Sequence, residues 1–336
     1  MVKGTLPLPQ PFSLGLTLLC GQCFRWDGPD FQGWFQGIAG QSFWRLRQEG
    51  DTLHWECSQE KPGELSAPEW LSYYFNLKDG LEAWAKSLEK DPVMGHPLRL
   101  LRGLRLARQD PWECTISYMF AQGLSVKIIR QALRKFCEKY GRSIPGAPGF
   151  YSFPLARDLS VLSPDALRPY TNNYRARADR VIRAARAVEA RVISLEHLKG
   201  ISCDDARESL MGLDGIGPKI ADCILLFSLD HATAFPVDRW VLRAMKRNFK
   251  SVKLMGAGEE APQPSQYLKI VQKARVAFGQ RCGLASEYLF LFLRLKEDET
   301  LRRELAPFCP SFDFGGDLVP LSSKGRKARK TSRITL

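Results

Sequence analysis

Lys219 and Asp238 are two side chains whose setting in this sequence gives them chemistry. Lys219 follows Gly215-Ile216-Gly217-Pro218, two glycines one residue apart and a proline suited to the first position of a helix. The preceding stretch from Cys203 to Met211 also reads as helix. Helix, glycine hairpin and helix aim backbone N–H groups, and the positive end of the second helix, at a phosphate. A lysine placed there sits in a positive potential, and partial burial acts in the same direction. The sequence therefore predicts a depressed pKa and an amine able to act as a nucleophile. Asp238, in Phe235-Pro236-Val237-Asp238-Arg239-Trp240, is expected to cap the next helix. A reversing loop between them would bring its carboxylate beside the hairpin, where it would stabilise positive charge developing in imine chemistry. On a plainer reading, Lys219 only contacts phosphate and Asp238 only caps a helix. Spacing leaves both open.

The elements that must hold these residues are legible from periodicity and turn chemistry. Between residues 20 and 60, short aromatic and β-branched runs alternate with Asp27-Gly28-Pro29-Asp30, Gly37 to Gly40 and Glu49-Gly50-Asp51, which predicts an antiparallel meander. Ser66-Ala67-Pro68-Glu69 reads as a capping box, and helices dominate from there. Asp110-Pro111-Trp112-Glu113 starts a helix, a second runs from Ser125 to Tyr140, and Ser143 to Pro154 reads as a Pro/Gly-rich connection. Ser163-Pro164 opens a short helix. Tyr174 to Glu189 forms a longer one bearing Arg175, Arg177, Arg180, Arg183 and Arg186, either a solvated face or a surface for a polyanion. The expected fold class is α+β. An N-terminal antiparallel β-rich domain with closing helices covers 1–108, and a helical domain covers 109–313, with its helix-hairpin-helix at about 203–229. A basic tail over 314–336 is expected to be disordered, with six cations and no acid between Lys324 and Arg333.

The chain of 336 residues carries 49 Lys+Arg against 36 Asp+Glu, a net charge of +13 that points to nucleic acid or an anionic membrane surface. At 44% hydrophobic residues, global disorder is excluded. No run approaches the ~18 apolar residues of a membrane span, and Pro7, Pro9 and Pro11 interrupt the region where a signal peptide's apolar core would lie. An intracellular protein is expected, in cytoplasm and nucleoid if prokaryotic or nucleus if eukaryotic, with a monomer as the simplest state. The nine cysteines are expected to be reduced thiols. Cys20 and Cys23 have the spacing of a redox dithiol or half a zinc site. They lack the strand-then-helix context of the first and the second ligand pair of the other, so no metal or cofactor is expected.

Gly215-Ile216-Gly217-Pro218-Lys219-Ile220-Ala221-Asp222, followed by Pro236-Val237-Asp238, resembles the helix-hairpin-helix and Gly/Pro-Asp signature of base-excision DNA glycosylases. Gly21-Gln22-Cys23-Phe24-Arg25-Trp26, Asp110-Pro111-Trp112-Glu113-Cys114 and Asn173-Tyr174-Arg175-Ala176-Arg177 narrow the resemblance to the 8-oxoguanine DNA glycosylase/AP lyase family. It covers residues 14 to about 296. The resemblance implies a DNA-repair enzyme whose partner is double-stranded DNA containing an oxidised purine, and which needs no metal. By the resemblance, Lys219 displaces the damaged base from C1′ and forms a Schiff base, Asp238 assists at the oxocarbenium-like transition state, and β-elimination nicks the strand. The Gly21 carbonyl would accept the N7 hydrogen of 8-oxoguanine, and Cys223 and Phe290 would sandwich the flipped ring. Ser286 stands where a glutamine reads the Watson–Crick edge. Tyr174 and Arg175 would wedge into the stack, with Gln122, Gly215 and Gly217 completing the DNA-binding set. Departures accompany the matches. An asparagine and an arginine that read the opposite cytosine fall at Gly123 and Ile128, so relaxed opposite-base selectivity is expected. Trp240 stands in place of a histidine. The alternatives are an alkylated-base glycosylase of the same fold working through Asp238 alone, a non-catalytic helix-hairpin-helix DNA-binding protein, and a thiol oxidoreductase using Cys20 and Cys23.

Overall fold

The computed structural model describes residues 1–248, 262 and 264–309; the expected basic tail lies outside the described residues. An antiparallel sheet of β1 (Val2–Pro7), β2 (Trp26–Asp27), β3 (Phe35–Ala39), β4 (Ser42–Glu49) and β5 (Thr52–Cys57) runs in the order β1-β5-β4-β3-β2. Strands β2 to β5 are the expected meander. β1 was not legible in the sequence. It pairs with β5 from Val2 opposite Cys57 to Pro7 opposite Thr52, and a strand ending in proline is tolerated at a sheet edge. The Pro/Gly-rich connection also differs from expectation, because Ser143–Ile144 (β6) and Ala147–Tyr151 (β7) pair as a hairpin.

The helices that build the site are α1 (Leu14–Leu19), α2 (Ala67–Tyr74), α3 (Pro111–Phe120), α4 (Val126–Tyr140), α5 (Arg175–Glu189), α6 (Cys203–Met211), α7 (Pro218–Ser228), α8 (Arg239–Asn248), α9 (Pro264–Phe278) and α10 (Cys282–Glu297). Their starts follow local chemistry: Ser66 and Glu69 form the capping box of α2, and Asp110 accepts the Glu113 N–H at 2.8 Å at the start of α3. Two large apolar cores result, beside a small one of Ile38, Phe43, Ile144 and Ala147. One joins the sheet, α1 and α2 to α8, α9 and α10, through residues such as Leu16, Trp44, Phe75, Ile270 and Leu291. The other joins α3 to α7, through Ile116, Phe136, Val181, Leu210 and Leu225.

The chain therefore leaves the first core after residue 107 and returns to it at Phe235, just before Asp238. Two polar ties hold the seam. Arg25 donates to Glu113 at 2.9 Å, both side chains being largely buried. Gln22 spans the seam through its carbonyl, which accepts from Gln109 Nε2 at 2.8 Å and the Tyr118 hydroxyl at 3.0 Å. Its buried side-chain amide donates to the Thr17 and Arg105 carbonyls at 2.8 and 2.9 Å and accepts the Ala107 N–H at 2.9 Å. Such a fully satisfied amide fixes the turn containing Gly21.

Candidate active site

The hairpin between α6 and α7 needs its first glycine. Gly215 has φ +89°, and a Cβ there would lie 2.6 Å from Arg180 Cδ. The Ile216 N–H closes the turn on the Leu213 carbonyl at 3.0 Å, Gly217 caps α7, and Pro218 fills its first position. Lys219, in that first turn, is partly buried with Nζ 5.3 Å from the Tyr118 ring centroid. Asp238 caps α8, its Oδ1 accepting the N–H groups of Trp240 at 2.9 Å and Val241 at 2.8 Å. Asp222 links the two. It accepts from Arg207 Nε at 2.6 Å and from the Tyr267 hydroxyl at 2.7 Å, and the same hydroxyl oxygen accepts the Val237 N–H at 3.2 Å.

The electrostatics correct one expectation. Burial is the largest influence on Lys219 and pushes its pKa down, but Cys223, Asp238 and Glu287 push it up and prevail. The ammonium is therefore held above the usual lysine value. Burial lifts the Cys223 thiol to about 12, while Lys219 pulls it the other way. Burial likewise raises Asp238, against the opposing pull of its capping N–H groups and Lys219. The resting site holds Lys219 as the ammonium, and nucleophilic chemistry requires that proton to leave.

Gly21 lies on the other side of the seam. Its φ is +110°, and a Cβ there would lie 3.2 Å from Arg294 Nη1 and 3.5 Å from Phe290 Cε1. Fold and chain reversal thus bring Gly21 and Phe290 together. Cys223 is buried one turn beyond Lys219. Ser286 is also buried, but its hydroxyl donates to the Gly283 carbonyl at 2.6 Å, so its one donor is used within its own helix. Two residues were missed from sequence. Arg294 donates to the Cys20 carbonyl at 3.3 Å with its guanidinium 5.2 Å from the Phe290 ring centroid. Glu287 is buried beside Ser286, and burial lifts its carboxyl to about 7. The available signal was a carboxylate and a guanidinium seven residues apart, one helical face, within the otherwise apolar run from Leu284 to Leu295.

The outer surface is partly as expected. Asn172 and Asn173 adopt left-handed φ of 55° and 56°, which asparagine tolerates, and they project Tyr174, 51% exposed, from the start of α5. Arg175 is exposed beside it, 3.4 Å from Asp165. The remaining arginines are largely engaged with the protein itself. Arg177 turns inward and donates to the Gln122 carbonyl at 2.6 Å, while the Gln122 amide donates to the Gly215 carbonyl at 2.6 Å. That string couples α5, the end of α3 and the hairpin. Arg180 and Arg183 pair with Asp214, and Arg186 donates to the Ser160 carbonyl at 2.9 Å. Gly123 and Ile128 are exposed. Cys20 and Cys23 are buried with both thiols donating to carbonyls of α1. Burial is the main cause that raises each pKa, so the spacing marks a packed turn rather than a reactive dithiol.

Comparison with known proteins agrees with this geometry. Residues 5–115 match the family model of the 8-oxoguanine DNA glycosylase N-terminal domain, and residues 116–257 that of the HhH-GPD superfamily of base excision DNA repair proteins. The chain is 30% identical over 290 residues to the N-glycosylase/DNA lyase OGG1 of Arabidopsis thaliana, covering 83% of this chain and 76% of that protein. It is also 30% identical over 248 residues to a probable N-glycosylase/DNA lyase of Methanothermobacter thermautotrophicus, covering 66% of this chain and 73% of the relative. Among solved structures, the Clostridium acetobutylicum 8-oxoguanine glycosylase/lyase in complex with double-stranded DNA containing cytosine opposite 8-oxoguanine superposes with a TM-score of 0.73. The identity is 27%, over 84% of this chain and 92% of that one.

Proposed function

The chain belongs to the 8-oxoguanine DNA glycosylase family, and we propose that it excises 8-oxoguanine from duplex DNA and cleaves the resulting abasic site through a Schiff base on Lys219. The observation that carries this reading is Lys219 in the first turn after the Gly215–Gly217 hairpin, with the helix cap at Asp238 tied to the same helix through Asp222, the Tyr267 hydroxyl and the Val237 N–H.

The target nucleotide must leave the base stack to reach Lys219, at a cost of a few kcal/mol that the wedge at Tyr174 and Arg175 offsets. Once its proton has left, the Lys219 amine attacks C1′ as the glycosidic bond breaks and the base departs. The Asp238 carboxylate stabilises the positive charge that develops on the sugar. Ring opening gives the imine, and loss of a C2′ proton expels the 3′ phosphate. The Gly21 carbonyl is suited to accept the N7 hydrogen that 8-oxoguanine has and guanine lacks, with Cys223 and Phe290 on the ring faces. Gly123 and Ile128 offer no side-chain donor to an opposite cytosine, which favours relaxed opposite-base selectivity. The protein would act wherever chromosomal DNA lies, in the nucleoid or the nucleus.

Borohydride trapping on duplexes with 8-oxoguanine opposite each of the four bases tests the reading. The expected result is a covalent adduct with the wild type, absent in K219Q, that varies little with the opposite base. Base release without an adduct would favour the alkylated-base mechanism through Asp238 alone, and binding without base release would favour a non-catalytic DNA-binding protein. Strong excision opposite cytosine only would remove the relaxed-selectivity part.

A further inference from the structure

A cleft of about 560 Å³ lies between α4, the β6–β7 hairpin and residues 294–304, and the chemistry above gives it no task. It is separate from the base pocket. None of Gly21, Lys219, Cys223, Asp238 and Phe290 lines it, and Arg294, whose guanidinium covers the Phe290 ring, stands at the boundary. The basic groups of the cleft fall into two sets. Three arginines are already engaged: Arg25 with Glu113, Arg134 with Asp27, and Arg294 with the Cys20 carbonyl. Lys127 and Arg130 have no ion pair among the described residues, and Arg130 Nε is buried without a hydrogen-bond partner.

These two cations stand among the first five residues of α4, at the positive end of the helix, which disfavours them until an anion arrives. Ser125 starts that helix without a hydroxyl bond to its first turn, and no acid stands there. Two free cations, an open helix start and an orphaned guanidinium N–H complement an anion with several acceptor oxygens, as a phosphate has. The rest of the lining suits what a nucleotide attaches to its phosphate. Phe150 and Tyr151 supply half-buried rings for a planar base, and exposed Thr300 and Glu304 supply acceptors for base N–H or sugar hydroxyl groups. The volume falls in the range of roughly 300–1,000 Å³ typical of small-molecule sites. A DNA backbone fits less well, because Asp298 and Glu304 also line the cleft and would repel a run of phosphates. We propose that this cleft binds a nucleoside monophosphate, with its phosphate on Lys127, Arg130 and the start of α4 and its base against Phe150 and Tyr151.

Isothermal titration calorimetry of the full chain with dGMP, deoxyguanosine and inorganic phosphate tests the site. One dGMP is expected to bind per chain, about tenfold or more tighter than either fragment, since only the whole nucleotide engages both sets of residues. K127Q/R130Q removes two charge-assisted partners and should weaken dGMP by about tenfold to a hundredfold. Excision of 8-oxoguanine by the same variant should stay within about threefold of wild type, which also shows that it folds. A further titration, into protein saturated with an undamaged duplex, separates free nucleotide from backbone phosphate; dGMP should bind there within about threefold of its affinity for the free protein. No dGMP binding, or deoxyguanosine or phosphate binding as tightly as dGMP, overturns the site. Unchanged dGMP affinity in K127Q/R130Q overturns it by placing the nucleotide elsewhere. Displacement of dGMP by the duplex, or excision falling in step with dGMP binding, overturns it by assigning Lys127 and Arg130 to the DNA backbone.

Discussion

Tyr267 donates its hydroxyl to Asp222 at 2.7 Å and, through the same oxygen, accepts the Val237 N–H at 3.2 Å. Asp222 lies one turn after Lys219 and Val237 immediately precedes Asp238, so one phenol fixes the spacing of nucleophile and carboxylate. Asp222 is fully buried and also holds Arg207, which in turn reaches Asp204 on the outer side of α6.

Replacing Tyr267 with Phe removes that tie and leaves the ring. Loss of a buried hydrogen bond to a carboxylate is expected to cost about 1–3 kcal/mol in unfolding free energy. Loosening the Lys219 to Asp238 geometry should lower kcat by about tenfold or more with KM little changed. Denaturant unfolding and steady-state excision check the two effects, and an unaltered kcat would reduce Tyr267 to a packing residue.

The hairpin, the cap at Asp238 and the starts of α2 and α3 were legible because each depends on local chemistry: glycine torsions, side-chain caps and proline at a first turn. Other features depend on partners distant in the chain. β1 exists because β5 offers it an edge, and Arg177, Arg180 and Arg183 are struts because Gln122 and Asp214 fold against them. The Lys219 titration was misjudged for the same reason. Helix position, burial and Cys223 one turn further along the same helix are visible in sequence, but the approach of Asp238 and Glu287 arises only when the chain returns to its first core. Glu287 carries no local signal of its own, since its burial depends on Cys20 and Arg294 closing over it.

D238N separates the two jobs of that carboxylate. With its charge removed, burial is less opposed and the Lys219 pKa should fall. Imine formation on a preformed abasic site needs the free amine, so its rate should rise by about tenfold per pH unit while lysinium dominates. In D238N that rise should lie at lower pH, even as 8-oxoguanine excision collapses. Trapping rates on an abasic duplex between pH 6 and 9 decide the matter; a rise displaced to higher pH would contradict the upward pull of Asp238 on Lys219.

Gly21→Ala places a Cβ 3.2 Å from the Arg294 guanidinium at a φ of +110°. The arginine tip can yield, but the backbone cannot relax without moving its carbonyl, because Gln22 is bound on every side. Strain of about 1–3 kcal/mol is expected. A carbonyl displaced by even 1 Å should reduce 8-oxoguanine excision by about a hundredfold. Cleavage of a preformed abasic site, which presents no base, should suffer far less, and equal losses on the two substrates would argue against a base contact at Gly21.

Glu287 should also make the free protein less stable as pH rises. Its ordinary value of 4.5 is lifted to about 7 mainly by burial, with Asp238 adding to the rise and Cys20, Arg294 and Lys219 opposing it. Below about pH 4.5 the carboxyl is neutral in both folded and unfolded chains and imposes no penalty. As pH climbs through 7 the unfolded chain has already ionised it, while the folded chain must charge a group with an unpartnered oxygen. The penalty therefore grows across that window and levels off at about 3 kcal/mol above it. E287Q removes the ionisation, so its unfolding free energy should exceed that of wild type at pH 8 by an amount that shrinks as pH falls toward 4.5. Denaturant titrations of both proteins from pH 4.5 to 8.5 test this, and parallel curves would show that the carboxyl is accommodated without strain.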